Sequence, residues 1–248
     1  MESRHRVLDP AAPVSIGKNL CALAVMTKAP RAGQVKTRLV PPLSPEEAAQ
    51  LNICFLRDTA TAIANACGTT ARGVGVYTPI GAEAAYTDIL PGDFDLVPQR
   101  GDGFGERLAF ATEDIFQCGF AAVCLIDSDS PTVSADVYAE AVEALSNAGD
   151  RVVLGPSDDG GYYLIGMKHN HPQLFERVDW STERVLEQTK QRASELNLEV
   201  SLLPTGYDVD DAATLRRLCD ELLSNKSKRD IAPNTRKFLA ALSAQKKL

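Results

Sequence analysis

Apolar residues fall into short blocks along this chain, at 20–26, 72–78, 94–98, 121–126, 151–155, 162–167 and 200–204. The blocks have strand length, and most are apolar at successive rather than alternate positions. Strands of that kind are covered on both faces, as in a parallel sheet. The segments between them have helical length. The stretch 44–67 opens with Ser44 three residues before Glu47, a capping-box pattern, and carries Leu51, Phe55, Leu56 and Ile63 on one stripe. Residues 106–117, 134–147, 182–196 and 211–223 read as further helices, and another starts at about Asn234. This alternation predicts an α/β fold, a three-layer sandwich with helices on both faces of a mainly parallel sheet. No internal repeat interrupts it. The expected organisation is a loosely ordered segment over 1–19, one domain over 20–240 and a short tail over 241–248.

Composition narrows the function classes. With 248 residues, 44% hydrophobic and 24% charged, the chain can bury one full core. A net charge of −7 argues against nucleic acid as the main partner. No run of residues is long and apolar enough for a membrane span, and no apolar leader opens the chain, so a cytoplasmic protein is expected. The six cysteines show neither CxxC nor Cys/His spacing and read as small buried hydrophobes. His5, His169 and His171 read as surface residues, since no nucleophile or cysteine is arranged around them.

Charge is distributed unevenly, and that changes the picture. No acidic residue lies between Asp9 and Glu46, whereas Lys18, Lys28, Arg31, Lys36 and Arg38 all fall in that gap. The loop after the first strand, TKAPRAGQVKTRL, thus gathers four cations around Gly33. Such a loop suits a di- or triphosphate, though a solvated basic loop reads the same way. It is not a Walker A loop. At the end of the fourth strand, IDSDSP places Asp127 and Asp129 two residues apart. Two carboxylates facing a phosphate loop are what Mg²⁺ or Mn²⁺ needs to bridge protein and pyrophosphate. Turn and cap roles for the same pair stay open.

Three more loops carry candidate chemistry. GPSDDGGYYLIG sets Asp158 and Asp159 beside Gly160 and Gly161 before Tyr162, as a hairpin turn, a close approach for substrate, or both. TGYDVDD offers Asp208 and Asp210 as reaching carboxylates, with Asp211 as a helix cap. QRGDGFGERL runs Gly101 and Asp102 into a helix with Arg107, whose first amides are free to meet an anion or a base edge. Trp180 reads as a core or pocket-wall aromatic, with Ser181 or Thr182 capping the next helix and stacking on substrate as a further role. Loops after the strands at 20–26, 121–126, 151–155 and 162–167 are expected to share one rim.

Taken in order, MTKAPRAGQVKTRL, GDGFGERL, IDSDSP, GPSDDGGYYLIGM, VDWSTERVLEQT and YDVDDAATL resemble the DUF2064 family of presumed glycosyltransferases, with a more distant similarity to 2-phospho-lactate guanylyltransferase. The resemblance spans residues 20–223. It implies a GT-A-like, nucleotide-diphospho-sugar transferase fold, with Lys28, Lys36 and Arg38 as nucleotide-phosphate ligands and Asp129 as the carboxylate on the metal side. It further implies Asp159, Gly160 and Gly161 in a sugar or acceptor pocket, and Asp208 and Asp210 along a closing acidic edge. Asp127 stands where the family commonly has Gly, and Gly206 where it usually has an aromatic.

The functional expectation is a metal-dependent glycosyltransferase that moves a sugar from a nucleotide-diphosphate donor to a small-molecule acceptor, and a homo-oligomer is left open. Asp159 and Asp210 are the catalytic candidates. Substrate-binding candidates are Lys28, Arg31, Lys36, Arg38, Gly101, Asp102, Arg107, Gly160, Gly161, Tyr162 and Trp180; metal candidates are Asp129, Asp127 and Asp208. The alternative is a nucleotidyltransferase joining an NTP to a phosphorylated small molecule. A haloacid-dehalogenase-type phosphatase and a non-catalytic nucleotide-binding protein rank behind it.

Overall fold

The computed structural model describes residues 5–12, 16, 19–224 and 230–245. Lys18 lies outside them. The apolar blocks become β1 (Cys21–Lys28), β2 (Ala71–Thr78), β3 (Asp95–Pro98), β4 (Ala122–Ile126), β5 (Arg151–Pro156), β6 (Tyr162–Met167) and β7 (Glu199–Leu202). They form a seven-stranded sheet in the order β3-β2-β1-β4-β6-β5-β7. The helices are α1 (Pro45–Cys67), α2 (Phe104–Gln117), α3 (Ala135–Ser146), α4 (Val185–Glu195), α5 (Ala212–Leu223) and α6 (Pro233–Ala244).

Alternation along the strands sends neighbouring side chains to opposite faces. Cys21, Leu23 and Val25 of β1 join Leu56, Ala60 and Ile63 of α1 and Tyr138, Ala141 and Leu145 of α3. Ala22 and Ala24 turn the other way, toward Leu108, Ala111 and Ile115 of α2 and Ala193 of α4. Both faces are therefore covered, which is why the strands carry so few polar positions. A third cluster forms behind α1, where Leu51 and Phe55 meet Leu215 and Leu218 of α5 and Leu239 of α6. The Ser44–Glu47 capping box starts α1 as expected, with the Glu47 amide donating to Ser44 Oγ at 3.2 Å and the Ser44 amide donating to Glu47 Oε2 at 2.9 Å.

Four expectations are corrected. Strand β6 runs antiparallel to both β4 and β5, so the loop that follows it, with His169 and His171, leaves on the opposite rim. A fully apolar strand reads the same in either direction. Helix α4 begins at Val185, because Ser181 adopts a left-handed backbone (φ 63°) and neither Ser181 nor Thr182 caps it. Helix α6 runs on to Ala244, so residues 241–244 are helical.

The fourth correction concerns the first residues. His5 is buried, its ring nitrogens 3.1 and 3.2 Å from the carbonyl oxygens of Phe94 and Tyr86. Beyond it, Arg6 and Arg72 pair with buried Asp95 at 2.8 and 2.6 Å, and Val7 forms a parallel bridge to Leu96. A segment this short has no hydrophobic period to announce itself, and it is held by backbone and charge instead.

Candidate functional site

Three loops meet beyond the carboxyl ends of β1, β4 and β5, and backbone hydrogen bonds stitch them together. The β5–β6 turn closes through the Ser157 amide donating to Gly161 O at 3.0 Å. Segment 204–210 is tied to it, the Gly206 amide donating to Pro156 O at 2.8 Å and the Asp158 amide to Gly206 O at 3.1 Å. The Val209 amide then donates to Asp129 O at 3.0 Å. Asp129, Asp159, Asp208 and Asp210, far apart in sequence, are thereby brought to one cleft.

The lysine of the basic loop is the organising residue. Lys36 takes a left-handed backbone (φ 49°) that directs its side chain inward, where it is 4% exposed. Its ammonium donates to Val209 O at 2.7 Å and lies 2.8 Å from Asp129 Oδ1 and 3.1 Å from Asp210 Oδ1. Three donors thus meet three acceptors. Burial alone would push this ammonium down, but Asp129 and Asp210 raise it above the ordinary lysine value. Lys36 therefore serves as the joint between two carboxylates, whereas a freely presented phosphate ligand was expected. Arg38 stays 77% exposed, 3.6 Å from Asp210 Oδ2, and Lys28 is exposed at the end of β1.

Two adjoining hollows share Arg38, Ser128, Asp129 and Asp210. The first, about 280 Å³, is lined further by Lys28, Gln34, Lys36, Thr37 and Asn52. The second, about 570 Å³, has an apolar floor that includes Leu125 and Ile165, and carboxylates at Asp127, Asp159, Glu183 and Asp208. Phe104 and Trp180 stand at its side in an edge-to-face pair, ring centroids 5.1 Å apart. Trp180 can lie there because the second residue of α2 is Gly105: a Cβ at that position would come within 2.4 Å of the indole Nε1.

The carboxylates are not equivalent. Asp127 accepts a 2.7 Å hydrogen bond from Ser130 Oγ, and burial, then the neighbouring Asp129 charge, raises its pKa to about 8. In the metal-free protein it is mostly a neutral acid at pH 7. Asp208, 3.3 Å from Ser157 Oγ, is also raised, first by burial and then by Asp159 and Asp210. Asp159 is fixed by the Gly161 amide at 2.8 Å. Asp211 caps α5 as expected, accepting from the amides of Ala213 and Thr214. Ser134, not Asp129, holds the N-cap position of α3.

Several expected residues are turned elsewhere. The glycine loop closes on itself: Arg107 donates to Gly101 O and Asp102 O at 3.2 Å each. The Glu106 carboxylate takes up the Asp102 and Gly103 amides at 3.0 and 3.1 Å, so the start of α2 already holds its anion. Gly101, Asp102, Arg107 and Arg31 line neither hollow. Gly160 (φ 91°) acts through packing, since a Cβ there would lie 2.2 Å from Glu183 O. Gly206 faces the Tyr163 ring, which explains the missing aromatic: a Cβ alone would reach within 3.1 Å of that ring. Sequence reasoning missed Gln34, Asn52, Ser128, Phe104 and Glu183. Asn52 is 5% exposed with an unpartnered Oδ1, and its only signal is a polar position inside an apolar stripe of α1.

Among the described residues, the one group of three or more His, Cys, Asp or Glu side chains with ligand atoms within 4.8 Å of one another is Asp150, His169 and His171. It lies on the far rim. At the cleft the ammonium of Lys36 joins Asp129 and Asp210. Two such carboxylates still fit Mg²⁺ or Mn²⁺, which takes few protein ligands when substrate phosphates complete the shell.

Residues 62–182 match a family described as an uncharacterized protein conserved in bacteria (DUF2064). The expected resemblance holds over this narrower span, which contains Asp127, Asp129, Asp159 and Trp180 but neither the basic loop nor Asp208 and Asp210. No protein among the curated ones matches. A candidate nucleotide-diphospho-sugar transferase from Desulfovibrio desulfuricans G20 superposes with a TM-score of 0.80 at 28% identity, over 90% of this chain and 95% of that one. A nucleotidyl transferase from Methanothermobacter thermautotroptrophicus (Mth528) gives 0.53 at 14% identity, over 83% and 98%. The 4-diphosphocytidyl-2C-methyl-D-erythritol synthase from Anaerococcus prevotii DSM 20548 gives 0.52 at 12%, over 84% and 97%. The last two share the fold alone. The chain therefore has the nucleotide-diphospho-sugar transferase fold. Among the described residues no helix is long and apolar enough to cross a membrane.

Proposed function

We propose that this protein is a transferase that takes a sugar from a nucleotide-diphosphate donor and passes it to an uncharged or cationic small molecule. One observation carries the reading: the cleft is cationic on one side of the Arg38–Asp129–Asp210 partition and carboxylate-lined over an apolar floor on the other. A phosphorylated co-substrate, which nucleotidyl transfer needs, would face Asp159, Asp208 and Glu183 at close range, a like-charge arrangement that costs affinity. A neutral hydroxyl-bearing acceptor suits the same groups as hydrogen-bond partners. The fold shared with the Desulfovibrio protein supports a nucleotide-sugar donor.

In this reading Arg38 and Lys28 hold the diphosphate, Arg38 with its forked donors. Lys36 sets Asp129 and Asp210 at a fixed spacing. Those two carboxylates would hold Mg²⁺ or Mn²⁺, which supplies charge neutralisation for the departing nucleoside diphosphate. Asp208, made a stronger base by burial and by its acidic neighbours, takes the proton of the acceptor, while Asp159 receives the hydroxyl. Asp127 is already engaged by Ser130, whose hydroxyl donates to it at 2.7 Å.

The test follows the leaving group. The protein is incubated with Mn²⁺ and a panel of nucleotide sugars or nucleoside triphosphates. Thermal stability is recorded first, since a ligand at 100 times its dissociation constant adds about 2.7 kcal/mol. Nucleoside diphosphate released from a sugar nucleotide supports the proposal. Pyrophosphate released from a triphosphate replaces it with nucleotidyl transfer, and the absence of any nucleotide response removes the shared premise.

A further inference from the structure

We propose that Asp150, His169 and His171 form a second metal site, for a borderline transition-metal dication of the zinc class, on the rim of the sheet away from the cleft. The three residues sit at the open end of the β5–β6 hairpin. Asp150 immediately precedes β5, the histidines follow β6 by two and four residues, and Val152 pairs with Met167 between them. The hairpin register therefore fixes their separation. His169 Nδ1 lies 3.1 Å from Asp150 Oδ1 and His171 Nε2 lies 2.9 Å from Oδ2. Ligands at about 2.0–2.1 Å from a tetrahedral zinc stand about 3.3 Å apart, so both pairs already have nearly that spacing.

The supporting turn is anchored as well. Lys168 Nζ donates to Asn147 O at 2.6 Å, Arg151 donates to Ala148 O at 2.9 Å, and the Leu174 amide donates to His171 O at 3.0 Å. The carboxylate now holds His171 through a hydrogen bond at 2.9 Å and has His169 Nδ1 3.1 Å from its other oxygen, contacts that a dication would replace. His169 is 67% exposed, which leaves a path for entry and room for a water as fourth ligand. Two imidazoles with one carboxylate favour zinc, cobalt or nickel over magnesium, whereas the aspartates of the cleft have the reverse preference. The two sites are thus separable by metal chemistry, and this inference stands apart from the transferase reading.

The experiment titrates the metal-stripped full chain with Co²⁺ and follows the visible absorption that cobalt shows when bound by nitrogen and oxygen ligands. The expected result is one saturable absorbing site, cleared by Zn²⁺ and not by excess Mg²⁺, and retained in Asp129→Asn. Affinity should fall by at least about tenfold in His169→Ala and vanish in the His169→Ala, His171→Ala double variant. His169 is exposed enough that its single variant keeps the fold, so it decides the matter should the double variant fail. No cobalt absorption up to about 1 mM, absorption unchanged in His169→Ala, or absorption lost in Asp129→Asn would each overturn the proposal.

Discussion

The two halves of the cleft are built on opposite plans. In the cationic half one lysine is buried and fully engaged with protein acceptors, and the arginine beside it is left in water. In the acidic half the carboxylates crowd over an apolar floor, and two of them are pushed toward the neutral form. The comparison teaches that a side chain's charge in sequence does not say whether it will meet a ligand. Lys36 holds the partition in place, and Arg38 and Lys28 are the cations left over for an incoming anion.

The largest effect expected from breaking this arrangement is at Lys36. Lys36→Met leaves Val209 O and two carboxylates without their shared donor, and stability should fall by about 3 kcal/mol in urea unfolding. Added Mg²⁺ should restore part of the loss, because in the proposed reading Asp129 and Asp210 hold it and it offsets the charge left by the ammonium; no recovery would mean that the two carboxylates are not metal ligands. Next comes Gly160→Ala. A left-handed backbone and a Cβ 2.2 Å from Glu183 O should cost about 1–3 kcal/mol and loosen the acidic wall. An unchanged melting temperature would show that the 158–161 and 181–184 loops move independently.

A paired experiment sharpens the division further. Arg38→Ala should weaken nucleoside diphosphate binding about tenfold while changing stability by less than about 0.5 kcal/mol. Trp180→Ala should leave nucleotide affinity unchanged and raise the apparent KM of the acceptor. Equal effects of both variants on nucleotide affinity, read by calorimetry, would merge the two halves into one site.

The smallest effect, counted per pH unit, is a slope. Asp127 has a folded-state pKa of about 8 against an ordinary value of 3.8, so between those limits the folded protein keeps a proton that the unfolded chain has lost. Its contribution to stability is therefore greatest below about pH 4, declines as pH rises, and is gone above about 8. Metal-free Asp127→Asn should show a flatter stability profile over that window, by up to about 1.4 kcal/mol per pH unit, the limit set by one proton. Identical profiles would show that Asp127 ionises normally.

Much of this architecture was legible in the chain, and the exceptions have physical reasons. Buried strands announce themselves through unbroken apolar runs, and α1 through Ser44 and Glu47. The direction of β6 has no such mark; only the short SDDGG turn implied a hairpin. The glycine loop was readable in principle, because Gly103 and Glu106 are spaced as a cap, and a carboxylate bound there competes with any ligand. The cations of 28–38 were visible, but the partner of each depends on segment 207–210 arriving from the far end of the sequence. Asn52 illustrates the limit, since burial of a lone polar side chain depends on what packs over it.

The strap made by His5–Leu8 has a practical consequence for anyone preparing the protein. It lies along β3, one of the two edge strands of the sheet, and supplies the Arg6 carbonyl and the Leu8 amide to Leu96. A trimmed or fused amino terminus that displaces it would bare hydrogen-bonding groups on a sheet edge, a template on which other chains can pair and come out of solution. Yield and shelf life, rather than turnover, are where the loss of that strap would first be noticed.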